Sequence, residues 1–332
     1  MSGQPSDLQS PLATSIRAFL AHHRALGKRF DTEESALRLL DRYLLEQGIE
    51  SLDAITPALL DAFLRSRPRS RPRSYNHLLN VIQRLFRWLE NQQTLVPSPL
   101  HARPRRCSSP PTPFLLEPTQ VERLLALAAQ LPDRPHAHRR GITYRMIFAL
   151  MYALGLRVSE VAHLCHKDVD WERKCFVIRQ SKFAKSRLVP FGPRLGQALQ
   201  DYLRAQEVGT SDLSPDDPLF SLTKDGRRAI YAKTISRTFQ RLVPSLGITV
   251  APGVAAPRLH CLRHSFAVAT LLRWYRTGVD PAARLNYLSA FLGHVNPAST
   301  AVYLTITADL LEQAGARFER FAAPAVQGER HG

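Results

Sequence analysis

The stretch Cys175-Phe-Val-Ile-Arg-Gln-Ser-Lys-Phe-Ala-Lys-Ser-Arg-Leu-Val-Pro-Phe191 carries the only clear β signal in the chain. Two runs rich in β-branched and aromatic residues, 175–179 and 187–191, flank the polar segment 181–186. That is the pattern of an antiparallel hairpin. Asp168-Val-Asp-Trp171, just before it, can add a third strand. Everything around this hairpin has helical spacing. Upstream, Glu117-Pro118-Thr119 leads into Val121, Leu124, Leu125 and Leu127, and Ile142, Met146, Ile147, Leu150 and Met151 mark a second apolar helix. Downstream, helices are expected over 198–206, 230–242, 262–275 and 309–321. The expected fold is mainly α with a small antiparallel β-sheet, in a mixed second domain.

The first hundred residues show no β signal. Ile16, Phe19, Leu20 and His23 share a helix face, with Ser15 as a cap. Ala36, Leu37, Leu40, Tyr43, Leu44 and Ile49 continue the pattern, which Gly48 interrupts. Thr56-Pro57 opens a third helix with Pro at its permitted first position, and Leu78, Leu79, Ile82, Leu85, Phe86 and Leu89 mark a fourth. These helices suffice for a small core of their own, which predicts a helical N-terminal domain over residues 1–96. Residues 97–113 hold six prolines along with Arg103, Arg105 and Arg106 and form a stiff basic linker. The second domain is expected over 114–322, followed by a disordered tail, 323–332.

Charge narrows the partner. The chain has 332 residues, 45 Lys plus Arg, 28 Asp plus Glu, and a formal net charge of +17. Such an excess points to nucleic acid or an anionic surface. The longest apolar run, Met146 to Leu156, is about half the roughly 20 residues a membrane span needs. The N-terminus has no early apolar run, so a signal peptide is not expected and the protein is placed in the cytoplasm. Cys107, Cys165, Cys175 and Cys261 form no Cys-x-x-Cys pair and are expected as reduced thiols. His260 and His264 stand at i,i+4, but no Glu follows the first, so zinc is not expected there.

Between the third and fourth helices lies Arg65-Ser-Arg-Pro-Arg-Ser-Arg-Pro-Arg73. Pro68 and Pro72 are expected to forbid a helix. Arg65, Arg67, Arg69, Arg71 and Arg73 are crowded enough to repel one another unless an anion is near. A phosphate-contacting arm is preferred to a merely solvated loop. Arg105, Arg106 and Lys185 join this candidate DNA-binding set.

Four further segments stand out together: Gly155-Leu-Arg157-Val-Ser-Glu160, the hairpin with Lys182, His260-Cys-Leu-Arg263-His264, and Leu292-Gly-His294 followed by Tyr303. Singly, each has a plainer reading as an exposed Arg, a solvated Lys, a structural His or a packing Tyr. Together they supply two permanently charged forks for a phosphate, an imidazole that can move a proton, a lysine to protonate a leaving oxygen, and a hydroxyl nucleophile. No acidic cluster or Gly-rich phosphate loop supports a two-metal or nucleotide-driven reaction. His260, Arg263 and His264 share one helix face. Asn296-Pro297 breaks the path between His294 and Tyr303, and Ser299 or Thr300 can cap the helix that follows.

These motifs, in this order, resemble the tyrosine recombinases, also called phage integrases, most strongly from about Thr143 to Phe321. The resemblance implies that the N-terminal domain is a core-binding domain and the second a catalytic domain with a C-terminal exchange helix. It implies that Arg157 and Arg263 bind the scissile phosphate and Lys182 is the general acid. It further implies that His260 assists proton transfer, His294 hydrogen-bonds the phosphate and Tyr303 is the nucleophile. His264 and Glu160 would be supports within their motifs. Neither metal nor other cofactor is implied. The implied partners are double-stranded DNA and other protomers in a tetrameric synapse, with companion recombinases where a mobile element encodes them in sets of three. The two domains would close on a duplex in the bacterial nucleoid.

Two features depart from the family pattern. The lysine loop reads Gln180-Ser-Lys182-Phe-Ala-Lys185, where counting back from Arg187 favours Lys182 over Lys185. The segment between Arg263 and His294 is long, through Trp274 to Pro281. Rival readings are a type IB topoisomerase and a non-catalytic DNA-binding accessory protein.

Overall fold

The computed structural model describes residues 8–94, 98–108, 111–179, 186–207, 213–294, 296–305 and 312. The chain divides into two compact units, Met1–Pro110 and Pro111–Gly332. Lys182, Lys185, the expected helix 309–321 and the tail 323–332 lie outside the described residues, Glu312 excepted.

In the first unit four helices, α1 Ala13–Ala25, α2 Asp31–Glu46, α3 Pro57–Ser66 and α4 Pro72–Asn91, enclose a core around Ile16, Leu37, Phe63 and Ile82. Ser15 does not cap α1: it lies inside the first turn, and Leu12 holds the cap position without a side-chain bond. Gly48 ends α2. Its φ of +64° carries the chain into the left-handed region, and the amides of Gly48 and Ile49 return to the Leu45 and Leu44 carbonyls, both at 3.0 Å. Ile49 therefore packs just past the helix rather than on it. Thr56 Oγ1 accepts from the Leu59 amide at 3.3 Å and Pro57 takes the first position of α3.

The arginine segment is shorter as a loop than the prolines suggested. Arg65 and Ser66 finish α3. Pro72 does not forbid a helix but opens α4, because its missing amide is one the first turn leaves unbonded anyway. Only Arg67–Arg71 connects the helices. The linker returns to this loop. The Asn76 side chain accepts from the Arg105 amide at 2.7 Å and donates to the Arg105 carbonyl at 2.8 Å. The Arg105 guanidinium lies 3.9 Å from the Tyr75 ring centre and donates to the Arg69 carbonyl at 2.9 Å.

In the second unit the helices are α5 Pro118–Ala129, α6 Arg140–Leu154, α7 Val158–Ala162, α8 Pro193–Glu207, α9 Ala232–Leu242, α10 Cys261–Arg276, α11 Pro281–Leu292 and α12 Ala298–Ala301. A 3-10 turn, Val302–Thr305, follows α12. The strands β1 Val169–Asp170, β2 Cys175–Ile178 and β3 Arg187–Pro190 form one antiparallel sheet in that order, with Val169 opposite Phe176 and Phe176 opposite Val189. The fold is mainly helical with a small antiparallel sheet. The apolar α6 packs against α5, α8 and α10 and centres the core. Among the described residues no helix is long and apolar enough to cross a membrane.

The long segment after Arg263 is mostly helix. Trp274–Arg276 complete α10, and Gly278 (φ +75°) lets the Gly278 and Val279 amides bond back to Tyr275 and Trp274. Asp280 then starts α11, its side chain accepting from the Ala282 amide at 3.1 Å.

Candidate active site

The site is assembled where helices end. Gly155 terminates α6 at φ +60°, and a Cβ there would meet Phe266 at 2.6 Å and Leu292 at 2.8 Å. Gly293 terminates α11 at φ +67°, and a Cβ there would meet Arg187 Nη1 at 2.7 Å. Both glycines are thus required by conformation and by space.

The last carbonyls of a helix lack helical partners. In α11 the chain itself takes two: His294 N bonds Ser289 O at 2.9 Å and Gly293 N bonds Ala290 O at 3.0 Å. The next three go to arginines from three different elements. Arg187 Nε donates to Phe291 O at 2.8 Å, Arg263 Nη2 to Leu292 O at 2.6 Å, and Arg157 Nη2 to Gly293 O at 2.7 Å. Arg263 Nη1 also donates to Gly155 O at 2.6 Å and so ties the end of α6 to the end of α11. Positive charge at a helix C-terminus is favourable in its own right.

Glu160 balances part of this charge. Its carboxylate accepts from the Arg157 amide at 2.9 Å, Arg157 Nη1 at 2.7 Å, and Arg187 Nη1 and Nη2 at 2.8 and 2.9 Å. Burial alone would raise its pKa; the Arg187 and Arg157 bonds outweigh burial and bring it to about 2. Three guanidiniums against one carboxylate leave a surplus of positive charge in the site. Arg263 is fully buried, and its Nε is a buried donor with no partner among the described residues. Burial and the Arg157 charge lower its pKa to about 10, which leaves it charged at neutral pH.

Tyr303 is 4% exposed and its Oη lies 2.8 Å from His264 Nδ1. The His294 ring runs nearly parallel to it, 6.4 Å away, and the His260 ring stands edge-on to His264 at 4.6 Å. His294 Nδ1 is 2.7 Å from Thr300 Oγ1, which is 2.6 Å from Ser289 Oγ. Burial, then Arg263, lowers the pKa of both His264 and His294 to about 4. The pKa of His260 is lowered by desolvation and then by His264, Arg263 and Arg157, although the residue itself stays open to solvent. Burial raises the Tyr303 pKa, and the charges of Arg263 and Arg157 oppose that rise. At neutral pH these are neutral imidazoles around a protonated phenol.

Of the residues expected from sequence, Arg157, His260, Arg263, His294 and Tyr303 come together here. Lys182 and Lys185 lie outside the described residues. Thr300 does not cap α12, nor does Ser299: Asn296 Oδ1 accepts from the Ala298 amide at 2.9 Å, and Thr300 is fully buried. Tyr287 is 73% exposed on α11. Among the described residues no cluster of His, Cys, Asp or Glu could hold a metal ion. Of the basic set, Arg65, Arg71, Arg73, Arg105 and Arg106 are exposed, whereas Arg67 and Arg69 are half-buried.

Sequence reasoning missed Arg187 and Thr300, and it understated His264, which touches the Tyr303 oxygen. The signal for Arg187 was its parity. It shares the inward face of β3 with buried Val189, where an arginine needs a buried partner. Elsewhere on the unit, Lys233, Arg237 and Arg241 stand exposed at helical spacing on α9, and Arg228 lies 5.8 Å from the exposed Tyr231 ring.

Known proteins share this sequence pattern and this fold. Residues 115–309 match the model of the phage integrase family. The protein y4rB of Sinorhizobium fredii, named as an integrase/recombinase, is 36% identical over 219 residues, 66% of this chain and 68% of its own. Tyrosine recombinase XerA of Thermococcus onnurineus is 34% identical over 173 residues, 51% of this chain and 53% of its own. The fold is that of the Tn1549 transposon integrase, solved with circular intermediate DNA, at a TM-score of 0.66 and 18% identity over 94% of this chain and all of that one. With the arginine, histidine and tyrosine motifs brought together inside the matched region, this chain belongs to the phage integrase family, the tyrosine recombinases.

Proposed function

We propose that this protein is a site-specific DNA recombinase that cuts and rejoins strands through a 3′-phosphotyrosyl intermediate, in the integration, excision or transposition of a mobile element. The observation that carries the reading is Tyr303 Oη, held 2.8 Å from His264 within a cluster that also holds the buried Arg263, whose Nε has no partner among the described residues. A phosphodiester has the charge and acceptor geometry to suit such a cluster, since guanidinium forks match phosphate oxygens.

In this mechanism Tyr303 Oη bonds to phosphorus while the bond from phosphorus to the 5′ oxygen breaks. The phenol proton passes to His264, which touches it, with His260 edge-on to His264 to assist the transfer. Lys182 protonates the departing 5′ oxygen. Arg157 and Arg263 stabilise the charge that builds on the phosphate, a role for which each donor is worth roughly 3–4 kcal/mol. His294 donates to a phosphate oxygen. A partner strand's 5′-hydroxyl reverses the link, so bond energy is conserved and neither nucleotide nor metal enters a step.

The helical unit, with Arg67–Arg71 and Arg105 brought together on its surface, serves as the core-binding domain. The exposed basic face of α9 adds phosphate contacts. The working assembly we propose is a tetramer on paired half-sites in the bacterial cytoplasm, joined by companion recombinases where the element encodes them.

The test is incubation with a pool of nicked duplexes and separation on a denaturing gel. Wild type is expected to form a covalent adduct, and Tyr303→Phe is expected to bind DNA within about threefold and form none. A Tyr303→Phe adduct would move the nucleophile elsewhere, with exposed Tyr287 next to be tested. Absence of any wild-type adduct would favour a binding-only accessory protein. Relaxation without strand exchange between duplexes would favour a type IB topoisomerase.

A further inference from the structure

Behind His294, Ser289 and Thr300 form a buried polar chain to which the proposed mechanism gives no role. Ser289 sits on α11, His294 just beyond its end, and Thr300 on α12. Thr300 is 0% and Ser289 3% exposed. Their oxygens are 2.6 Å apart, and Thr300 Oγ1 lies 2.7 Å from His294 Nδ1.

Proton counting gives the chain a direction. Each hydroxyl has one proton to donate, and a buried donor left without an acceptor costs roughly 1–3 kcal/mol. Among the described residues, the Ser289 hydroxyl has no partner but Thr300, and the Thr300 hydroxyl has only Ser289 and His294. If His294 Nδ1 carried the proton and donated to Thr300, Thr300 would donate to Ser289, and the Ser289 proton would have nowhere to go. In the opposite sense Ser289 donates to Thr300, Thr300 donates to Nδ1, and every buried proton is used. The imidazole proton then sits on Nε2.

We infer that Thr300, backed by Ser289, is a positioning residue that fixes His294 as the Nε2–H tautomer and so makes its outer nitrogen a hydrogen-bond donor. This rests on the recombinase reading for its consequence, the contact to phosphate, but not for the tautomer. The distinction matters because burial, and after it the neighbouring arginines, keep His294 neutral. A protonated imidazole donates from both nitrogens, whereas a neutral one donates from a single nitrogen that must be chosen in advance. An Nε2 lone pair turned to a phosphate oxygen would repel it. The relay thus allows a neutral histidine to serve an anion without adding another charge to a site that already holds three guanidiniums.

The experiment uses the full chain labelled with 15N-histidine. Two-bond proton–nitrogen correlations report the tautomer of His294, assigned by its disappearance in His294→Gln. Wild type is expected to show Nε2–H. Thr300→Val, which keeps the shape and removes the hydroxyl, is expected to lose that fixed pattern. Thr300→Ser should restore it. Single-turnover adduct formation on nicked DNA should fall roughly tenfold or more in Thr300→Val, recover in Thr300→Ser, and fall no further when Thr300→Val is added to His294→Gln. An Nδ1–H pattern in wild type overturns the inference. So does a Thr300→Val protein that retains both the Nε2–H pattern and the wild-type rate. Should Thr300→Val not fold, the wild-type spectrum and Ser289→Ala decide the matter. A wild-type protein with the expected tautomer but no adduct would sink the recombinase reading and leave the tautomer assignment standing.

Discussion

Arg187 shows what a single side chain does when its charge is nearly out of water. Its side chain is 10% exposed and grips Glu160, itself 4% exposed, with both Nη atoms while Nε holds the Phe291 carbonyl. Breaking a buried pair from one side leaves the other charge stranded, at a cost of about 3–5 kcal/mol. Arg187→Ala is therefore expected to lower the denaturant stability of the second unit by about 3 kcal/mol and to suppress adduct formation with little change in DNA affinity. The matching exposed pair, Arg204 with Asp201 at 65% and 59% exposure, is a fair control. Arg204→Ala should cost below about 1 kcal/mol. If both substitutions cost the same, the buried network is not what supports the site. Arg157, Arg263, His294 and Tyr303 were legible in the sequence because short motifs surround them. Arg187 was not, because its partners lie 27 and 104 residues away in the chain and only folding brings them together.

At the scale of elements, the hairpin and the four N-terminal helices were legible from periodicity, whereas α11 was not. Its buried set is Pro281, Leu288, Ser289 and Leu292. A polar serine thus faces inward while Tyr287 is 73% exposed, so the apolar pattern does not trace the buried face. The start and stop signals, Asp280-Pro281 and Gly293, were present but had no stripe between them to frame. Proline was misjudged in the same local way, since Pro72 both ends the arginine loop and begins α4. That leaves Arg67, Arg69 and Arg71 as the connecting arm. Replacing all three with Ala should weaken binding to every duplex alike. Each phosphate contact contributes a salt slope of about −0.9, so three lost contacts should flatten the slope by roughly 2.7. Binding isotherms across a salt series check this. Lost discrimination between sequences with an unchanged slope would mean that the arm reads base edges instead. The Arg69 carbonyl that anchors Arg105 survives the substitution, which keeps the linker contact out of the comparison.

For the whole molecule, the electrostatic cost of the site should appear in its pH dependence. Unfolded histidine titrates near 6.5, but His264 and His294 are lowered to about 4 in the folded chain. A depressed pKa means the unfolded state binds protons first, so the stability these groups contribute is complete above pH 6.5 and is lost as pH falls toward 4. Glu160, lowered from 4.5 to about 2, continues the decline below pH 4.5. Urea unfolding followed from pH 7.5 to 4 should therefore show stability falling most steeply between about 6.5 and 4. A chain carrying His264→Asn and His294→Asn should show a shallower fall; an identical slope would assign the acid sensitivity to other groups. The net charge, +17 at pH 7, rises further as histidines and carboxylates take up protons, so self-repulsion adds to the fall in the same window.

The three carbonyls at the end of α11 also bear on the length of that helix. Phe291, Leu292 and Gly293 are consecutive, and each is committed to a different arginine. Successive residues of a helix are turned by about 100°, so inserting or deleting one residue inside α11 would present every guanidinium with the wrong oxygen at once. Such an error works like a frameshift in reading: it does not weaken one contact but mistranslates all three. A one-residue insertion inside α11 is therefore expected to abolish adduct formation, because all three contacts would be lost together.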